Sequence, residues 1–329
     1  MASRSARRAG IRLADLLRGS ITGANATPAS SSMAIAPGDI APPGARFAST
    51  QVLRNRMKSV QSIQKITKAM KMVASSKLRQ VQARAEKSRG VWQPFTALLG
   101  DAPDTFPKKT VLLCITSDRG LCGGINSSVV RFGKAMLKVA KNNGGEDAKF
   151  VVLGEKGKVQ IQRDSKQYIS LNITELVKYP LNFTQVSVMA DEILKNVEYD
   201  AIKVIFNKFA SMVKFYPSVT TILAPGSIKT SETGTPSELD LYEIEGPDSK
   251  EEALQNLSEF QFAAVLFNAL LENASSEESS RMTAMDNSSK NASDMLQKLT
   301  LKYNRTRQAS ITTELIEIIS GAAALEAAK

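Results

Sequence analysis

The sequence predicts an α/β protein in which two long terminal helices form an antiparallel coiled coil around an inserted α/β domain. Residues 51–92 contain no proline and a single glycine, and residues 248–329 contain no proline and only Gly321. Between these segments, residues 108–245 alternate short apolar runs with amphipathic stretches. Because short apolar runs predict buried strands and amphipathic stretches predict helices, this alternation indicates an α/β layer between the two long helices.

The first long helix carries one narrow apolar stripe. Its apolar residues recur every three or four positions, which places them on one face of a helix. The stripe consists of Leu53, Met57, Val60, Ile63, Ile66, Met70 and Val73. Pro94 and the proline-containing stretch 101–107 mark either the end of this helix or a kink in it.

The C-terminal segment is too long for a helix of a globular domain. A continuous helix over residues 248–329 spans about 120 Å at ~1.5 Å per residue. Small residues in its heptad seam would let a partner helix approach closely. Separate helices folded on a compact core are the alternative, but they require helix breakers that this segment lacks. The seam consists of Met282, Met285, Ser289, Ala292, Leu296, Leu299 and Tyr303.

The central residues predict a partly parallel, Rossmann-like α/β domain. We expect strands at 110–117, 149–154, 199–209 and 213–224, and helices at about 127–142, 155–163 and 184–197. Pro217 places the last strand at an edge of the sheet, because proline cannot donate a hydrogen bond to a neighbouring strand. Residues 224–238 are expected to form a flexible connection.

Residues 1–48 are expected to be a mitochondrial transit peptide. Residues 1–50 carry six Arg and Lys against two acidic residues, and the arginines are interleaved with leucine and isoleucine. The stretch 45–50 resembles a matrix-protease cleavage region, which would place the mature N-terminus near Ala48 to Gln51. The alternative is a disordered basic arm that binds nucleic acid. The other expected domains are the N-terminal coiled-coil helix 49–105, the α/β domain 106–246 and the C-terminal coiled-coil helix 247–329.

The composition argues against several classes of function. The chain has no histidine, which removes the commonest general base and the commonest metal ligand. Cys114 and Cys122 are its only cysteines, too few for a disulfide framework. The sequence contains no run of about 18 apolar residues, so no transmembrane helix is expected. We therefore expect no catalytic residue, no bound cofactor and no metal site in this chain.

A glycine-rich turn, residues 117–124, lies between a predicted strand and a predicted helix, where many enzymes bind phosphate. Its order of residues matches neither the dinucleotide motif G-x-G-x-x-G nor the P-loop with its lysine. We therefore interpret its glycines as a tight turn, with Asn126 or Ser127 capping the next helix. Cys122, between glycines, is either a reactive thiol beside a helix N-terminus or, as we expect, a structural cysteine.

The N-terminal helix is strongly basic. Residues 51–90 carry eleven Arg and Lys against one acidic residue. Nucleic-acid binding would use this charge on phosphates, but the stretch lacks aromatic residues for stacking. An acidic protein partner would use it for steering and selectivity. A solvated helix face is the third interpretation, although such a face usually mixes both signs.

Three segments resemble the gamma subunits of rotary F-type ATP synthases, in the order in which that family has them. They are IQKITKAMKMVASSKLR (63–79), SDRGLCGGIN (117–126) and SRMTAMDNSSKNASDMLQKLTLKYNRTRQASITTELIEIISGAAAL (280–325). The layout agrees from about residue 51 to the end. The motif MDNSSKNAS and the transit peptide resemble the mitochondrial branch. The chloroplast branch carries an inserted regulatory dithiol, and because residues 123–329 contain no cysteine we expect no thiol gating.

The resemblance implies a rotor in a central stalk. The terminal helices would form a shaft inside the hexamer of alpha and beta subunits, and the α/β domain would lie beside the delta and epsilon subunits and the membrane c-ring. One copy per complex would couple proton-driven rotation of the c-ring to conformational change at the beta-subunit catalytic sites. The chain would be peripheral to the matrix side of the mitochondrial inner membrane, would bind no nucleic acid and would have no catalytic site of its own.

Two groups of residues would contact partner subunits, by their position in the family. The implied contacts with the acidic lever and the catch loop of the beta subunit are Lys65, Lys68, Met70, Lys71, Lys77, Arg79, Cys122, Arg281, Arg307 and Gln308. The implied bearing residues are Ile311, Leu315, Ile318, Ile319 and Leu325.

Two alternatives stay open, a mitochondrial basic nucleic-acid-binding protein and a dinucleotide-dependent enzyme built on the α/β domain. Neither accounts for the long C-terminal segment without helix breakers.

Overall fold

A computed structural model describes residues 43–99, 107–142, 147–176, 181–224 and 250–327. Two long helices bracket the other elements: α1 spans Pro43–Leu99 and α5 spans Lys250–Ala327. The chain divides into two units, Met1–Ala48 and Ser49–Lys329. The elements between the long helices are β1 (Thr110–Ile115), α2 (Ile125–Asn142), β2 (Lys149–Leu153), α3 (Glu155–Ser165), a short 3-10 helix (Lys166–Tyr168), β3 (Ile169–Ile173), α4 (Phe183–Asn196), β4 (Ala201–Phe209) and β5 (Phe215–Leu223).

The five strands form one sheet in the order β3-β2-β1-β4-β5. Neighbouring strands from β3 to β4 are parallel, and β5 runs antiparallel to β4. This confirms the predicted partly parallel sheet and the edge position of the strand that contains Pro217. Strand β3 was not predicted. Its residues alternate apolar with polar side chains, the pattern of a half-buried strand, and most are only partly buried. It therefore lacks the apolar run that marks the other strands.

The sheet is buried on both faces, with β1 at its centre. Val111 and Leu113 belong to the core beneath α4 and α5, whereas Leu112 and Cys114 belong to the core beneath α2 and α3. Successive side chains of a strand point to opposite faces, so one apolar strand supplies both cores. Helix α5 is thus a covering layer of the sheet and one half of the coiled coil at the same time.

Helices α1 and α5 pair in an antiparallel coiled coil, which we call the shaft. Lys71 Nζ lies 2.6 Å from Asp286 Oδ1, and Ser88 Oγ donates to Asn268 Oδ1 at 2.9 Å. Residue numbers thus rise along one helix as they fall along the other, which confirms the predicted orientation. The predicted seam of α5 is also confirmed, because three of its central members are buried: Met285, Ser289 and Ala292.

The apolar stripe predicted on α1 is correct at Leu53 and Val60 but wrong further along. Ile63, Ile66 and Val73 are 51%, 58% and 54% exposed. Two of the three buried side chains of this part are small or polar, Thr67 and Ala74, since closely packed helix backbones leave little room between them. A search for large apolar residues therefore selects the wrong face. The buried residues of this part of α1 are Thr67, Ala74 and Leu78.

The first long helix passes the proline that the sequence left open as its end or a kink. Helix α1 begins at Pro43, before the boundary predicted at residue 49, and continues past Pro94 to Leu99, so that Pro94 does not end it. Residues 1–42 of the predicted transit peptide and residues 225–238 of the predicted connection lie outside the described residues. The bounds of the four predicted domains and the cleavage site stay predictions.

Candidate partner-binding surface

The C-terminal part of α5 is an apolar surface that no described part of the chain covers. Every side chain from residue 314 to residue 327 is exposed, and so are Arg307 and Gln308. A large exposed apolar surface marks a site that a partner covers. The sequence prediction did not include Ile316. The exposed apolar side chains, between 55% and 74% exposed, are Ile311, Leu315, Ile316, Ile318, Ile319 and Leu325.

The exposed sides of α1 around Lys65 to Arg79, which we call the basic flank, combine basic with apolar side chains. Lys65, Lys68, Lys77 and Arg79 are exposed and form no ion pair within the described ranges. Three of its exposed apolar residues were predicted to lie on the buried stripe, and the fourth, Met72, was not predicted. Apolar area supplies affinity to an interface and charge supplies steering, so this mixed surface has the composition of a protein-binding site. Its exposed apolar residues are Ile63, Ile66, Met72 and Val73.

Two predicted contact residues of α1 have internal positions. Met70 is half-buried against the shaft. Lys71 pairs with Asp286, which also lies 2.9 Å from Lys290 Nζ on α5. The hydrogen bonds from Lys71 and Lys290 lower the pKa of Asp286 from 3.8 to about 2. Lys71 is thus engaged within the shaft, whereas Lys65, Lys68, Lys77 and Arg79 remain available to a partner.

Replacing Asp286 with asparagine is expected to remove a stabilising contribution that depends on pH. Because folding lowers the pKa of this carboxyl, its contribution is present above the unfolded value of 3.8 and is lost as pH falls towards about 2. Urea titrations near neutral pH should therefore show a less stable variant. The difference from the parent chain should vanish between pH 3.8 and about 2. A difference that persists at the acid end would show that the carboxylate charge is not its source.

The glycine-rich turn docks on the shaft. Ser280 Oγ of α5 donates to the carbonyl oxygen of Cys122 at 2.6 Å. Gly123 has φ of 61°, and a Cβ atom there would lie 3.0 Å from Ser280 Oγ. Helix α2 begins at Ile125, so Asn126 lies inside it rather than at its cap. Its side-chain oxygen instead accepts from Ser117 N at 2.9 Å and braces the turn.

The crevice between β1 and β4 is occupied by α5. Strand order reverses here, and open α/β sheets bind their ligands at the carboxyl ends of the strands that flank such a point. In this chain, Ser276 Oγ of α5 donates to the carbonyl oxygen of Asn207 at 2.9 Å, and Asn207 Nδ2 donates to Asn273 Oδ1 at 3.1 Å. The position that holds a ligand in an enzyme of this fold therefore fastens the shaft to the sheet.

Cys122 and Arg281, both predicted to contact a partner, are buried in this chain. Cys122 is 3% exposed, and burial raises the pKa of its thiol, which opposes the thiolate form. Arg281 is 8% exposed and pairs with Glu277 and, at 2.6 Å, with Glu278. The Cys122 thiol contacts Ser117 and Asn126 beside the turn, and Arg281 pairs within α5. The contact of both side chains with a partner stays a prediction.

The described ranges offer neither a metal cluster nor a membrane span. No group of three or more His, Cys, Asp and Glu side chains among the described residues could hold a metal ion. None of the helices in that part of the chain combines the length and the apolar character of a membrane span.

The described fold is a coiled coil fused to a small α/β domain. Its exposed apolar end and basic flank define a subunit that works inside a larger assembly. The ATP synthase family model matches residues 49–325. A mitochondrial ATP synthase subunit gamma from Ipomoea batatas is 60% identical over 99% of this chain and 100% of its own length, and that of Arabidopsis thaliana is 64% identical over 87% and 88%. The chain therefore belongs to the gamma-subunit family of the ATP synthases.

Solved structures agree with this assignment. A chain of the Tetrahymena thermophila mitochondrial ATP synthase, in a structure of its central stalk and c-ring, is 30% identical, with a TM-score of 0.53 over 68% of this chain and 98% of its own. A chain of the Euglena gracilis mitochondrial ATP synthase, in a structure of OSCP, F1 and c-ring, matches the fold with a TM-score of 0.74 at 21% identity over 85% and 96%. These comparisons confirm the resemblance and give no support to the nucleic-acid-binding alternative.

Proposed function

We propose that this chain is the rotor of a mitochondrial ATP synthase and couples proton-driven rotation of the c-ring to conformational change at the catalytic sites of the beta subunits. The observation that carries the proposal is the exposed surface of the shaft, because an apolar end and a basic flank on one coiled coil require an enclosing partner. The family assignment and the central-stalk relative support the hexamer of alpha and beta subunits as that partner.

The mechanism follows from the asymmetry of the shaft. On α1, the side chains of Lys65, Lys68 and Lys77 and several apolar side chains are exposed. The residues of α1 that face α5 are buried in the shaft. Three identical catalytic subunits around such a rod meet different surfaces at one time. Turning the rod exchanges those surfaces, which switches each subunit between discrete arrangements by rigid-body contact. The apolar end, Ile311 to Leu325, would turn in a bearing formed by the hexamer.

The α/β domain has the second role in the proposal, which is to receive torque. The c-ring and the delta and epsilon subunits are its proposed partners, on the matrix side of the inner membrane. Torque applied to the domain reaches the shaft through contacts already described, since α5 packs on the sheet and Ser276 and Ser280 bind the strand end and the turn. In this proposal the chain has no catalytic site of its own, and catalysis belongs to the beta subunits.

Charge reversal on α1 tests the proposal. Lys65, Lys68 and Lys77 changed together to glutamate should slow ATP hydrolysis by a complex of this chain with alpha and beta subunits, because like charges then face the acidic lever. Each exposed pair contributes only ~0–1 kcal/mol, so the triple change should slow turnover about three- to tenfold. Salt should partly restore the rate, because the Debye length falls from ~10 Å at 0.1 M to ~3 Å at 1 M. Lys71 is left unchanged because it pairs with Asp286.

The matched control reverses three exposed lysines of the α/β domain, Lys108, Lys138 and Lys166, with the same change in net charge. In a complex that lacks the c-ring, delta and epsilon subunits, this control should turn over at the parent rate. Equal rates for the α1 variant and the control would remove the basic flank from the coupling surface. Loss of RNA or DNA binding in the α1 variant with unchanged turnover would favour the nucleic-acid-binding alternative.

A further inference from the structure

A cationic groove lies between α2 and α3 on the outer layer of the α/β domain. Its volume is ≈ 610 Å³, and four basic side chains line it: Arg131 and Lys134 from α2, and Lys156 and Arg163 from α3. These two helices cover the sheet face opposite to α5. The groove is thus separate from the shaft and from every contact that fastens the shaft to the domain.

The positive charge of the groove is only partly neutralised among the described residues, by Asp164, which lines the same groove. Lys134 Nζ lies 2.6 Å from Asp164 Oδ2, and this hydrogen bond lowers the pKa of Asp164. Arg131, Lys156 and Arg163 form no ion pair among the described residues. Helix α2 contains no acidic residue at all, although residues 91–329 together carry a net negative charge. The groove is therefore a local concentration of cations on an acidic part of the chain.

The size and donors of the groove indicate a compact anion. Small-molecule sites occupy ~300–1,000 Å³, a range that includes this groove. Arginine guanidinium groups bind phosphate through paired hydrogen bonds, and lysine adds a point charge. Ser127 and Gln160 line the same groove and offer a hydroxyl and an amide as further donors. An extended acidic peptide would need basic side chains spread along the length of a helix face. The four basic side chains of the groove instead lie within two turns of each helix.

We propose that the groove between α2 and α3 binds a phosphate-bearing anion. The ligand enters from solvent and places its phosphate oxygens between Arg131 and Arg163. Lys156 lies at the end of the groove next to the glycine-rich turn, since a Cβ atom on Gly120 would lie 3.6 Å from Lys156 Cε. Both a soluble polyphosphate compound and the headgroup of an anionic phospholipid have this chemistry. The site does not depend on the rotor function, and its failure would leave that proposal unchanged.

Titration of the full chain with sodium tripolyphosphate, followed by isothermal calorimetry, tests the site. The parent chain should bind one equivalent, and the double variant Arg131→Gln with Arg163→Gln should bind at least tenfold more weakly. The matched control is Lys138→Gln with Lys166→Gln. It removes the same charge from exposed positions on α2 and directly after α3, outside the groove. The control should bind as the parent chain does.

Sedimentation with vesicles distinguishes the two sources of phosphate. Vesicles of phosphatidylcholine with one-fifth cardiolipin are compared with pure phosphatidylcholine vesicles, using the same three proteins. Groove-dependent binding to the cardiolipin vesicles alone would assign the site to a lipid headgroup, and groove-dependent binding of tripolyphosphate would assign it to a soluble ligand. Equal losses in the groove variant and the control, or no saturable binding to either probe, would overturn the proposal, because the charge would then attract anions only diffusely.

Discussion

Replacing Glu272 with alanine is expected to lower the free energy of unfolding by about 3–5 kcal/mol, the cost of leaving one partner of a buried ion pair alone. Glu272 is 1% exposed and connects three elements. Its Oε1 accepts from Arg89 Nε of α1 at 2.6 Å, and its Oε2 accepts from Phe209 N of β4 at 2.9 Å. The hydrogen bond with Glu272 raises the pKa of Arg89, so the guanidinium stays charged at every working pH.

The substitution would leave the buried N–H of Phe209 without its acceptor, and Arg89 would keep only its hydrogen bond to the carbonyl oxygen of Phe209 at 3.3 Å. Arg89 keeps 35% of its side chain exposed and regains some water, which favours the lower part of the range. Urea unfolding of the full chain measures the loss. Glu259→Ala, on the exposed face of α5, is the matched control and should change the stability by less than about 0.5 kcal/mol. A loss below about 1 kcal/mol for Glu272→Ala would show that this carboxylate does not fasten α1, α5 and the sheet together.

Gly154→Ala is expected to destabilise the α/β domain by about 2–6 kcal/mol, the sum of backbone strain and overpacking. Gly154 has φ of 101°, and a Cβ atom there would lie 2.5 Å from the carbonyl oxygen of Thr116. Its N–H donates to Ile173 at 2.8 Å and joins the end of β2 to β3. Because the clashing atom belongs to the backbone of the strand end that leads into the glycine-rich turn, a side-chain movement cannot relieve the clash.

Thermal unfolding of the purified chain measures this effect. Gly124→Ala provides the control, since a Cβ atom on Gly124 would meet no atom within 4 Å. The Gly154 variant should also loosen the glycine-rich turn, and limited proteolysis should then cut between β1 and α2. Similar unfolding temperatures for the two variants would contradict the assigned backbone geometry at the end of β2.

Much of the fold follows from the sequence because its signals are local. The long helices are predicted by missing prolines and glycines, and the apolar runs of β1, β2 and β4 predict buried strands. Strand β3 has no such signal, because a partly exposed edge strand does not need an apolar run. The face of α1 that meets α5 was mispredicted for a related reason, since close helix packing selects Thr67 and Ala74 rather than larger apolar residues.

The candidate site was predicted less completely than the fold. Exposed lysines on α1 and the apolar end of α5 are visible in the sequence as a charge run and an apolar run. The pairing of Arg281 with Glu277 and Glu278, four and three residues away on the same helix, is a local signal that the prediction overlooked. The pairing of Lys71 with Asp286 depends instead on residues that only folding brings together. The cationic groove was not predicted for the same reason, because its basic side chains come from two helices that are separate in the sequence.

Direct observation of rotation tests the central claim. Val213 lies in the turn between β4 and β5 and is 78% exposed, while the native Cys114 and Cys122 are 0% and 3% exposed. A Val213→Cys variant can therefore carry a maleimide-linked bead on the α/β domain, in a complex whose alpha and beta subunits are fixed to a surface. On addition of ATP, the account predicts continuous rotation of the bead in one direction. A complex that hydrolyses ATP at the parent rate while its bead stays still would contradict the assignment of this chain as the rotor.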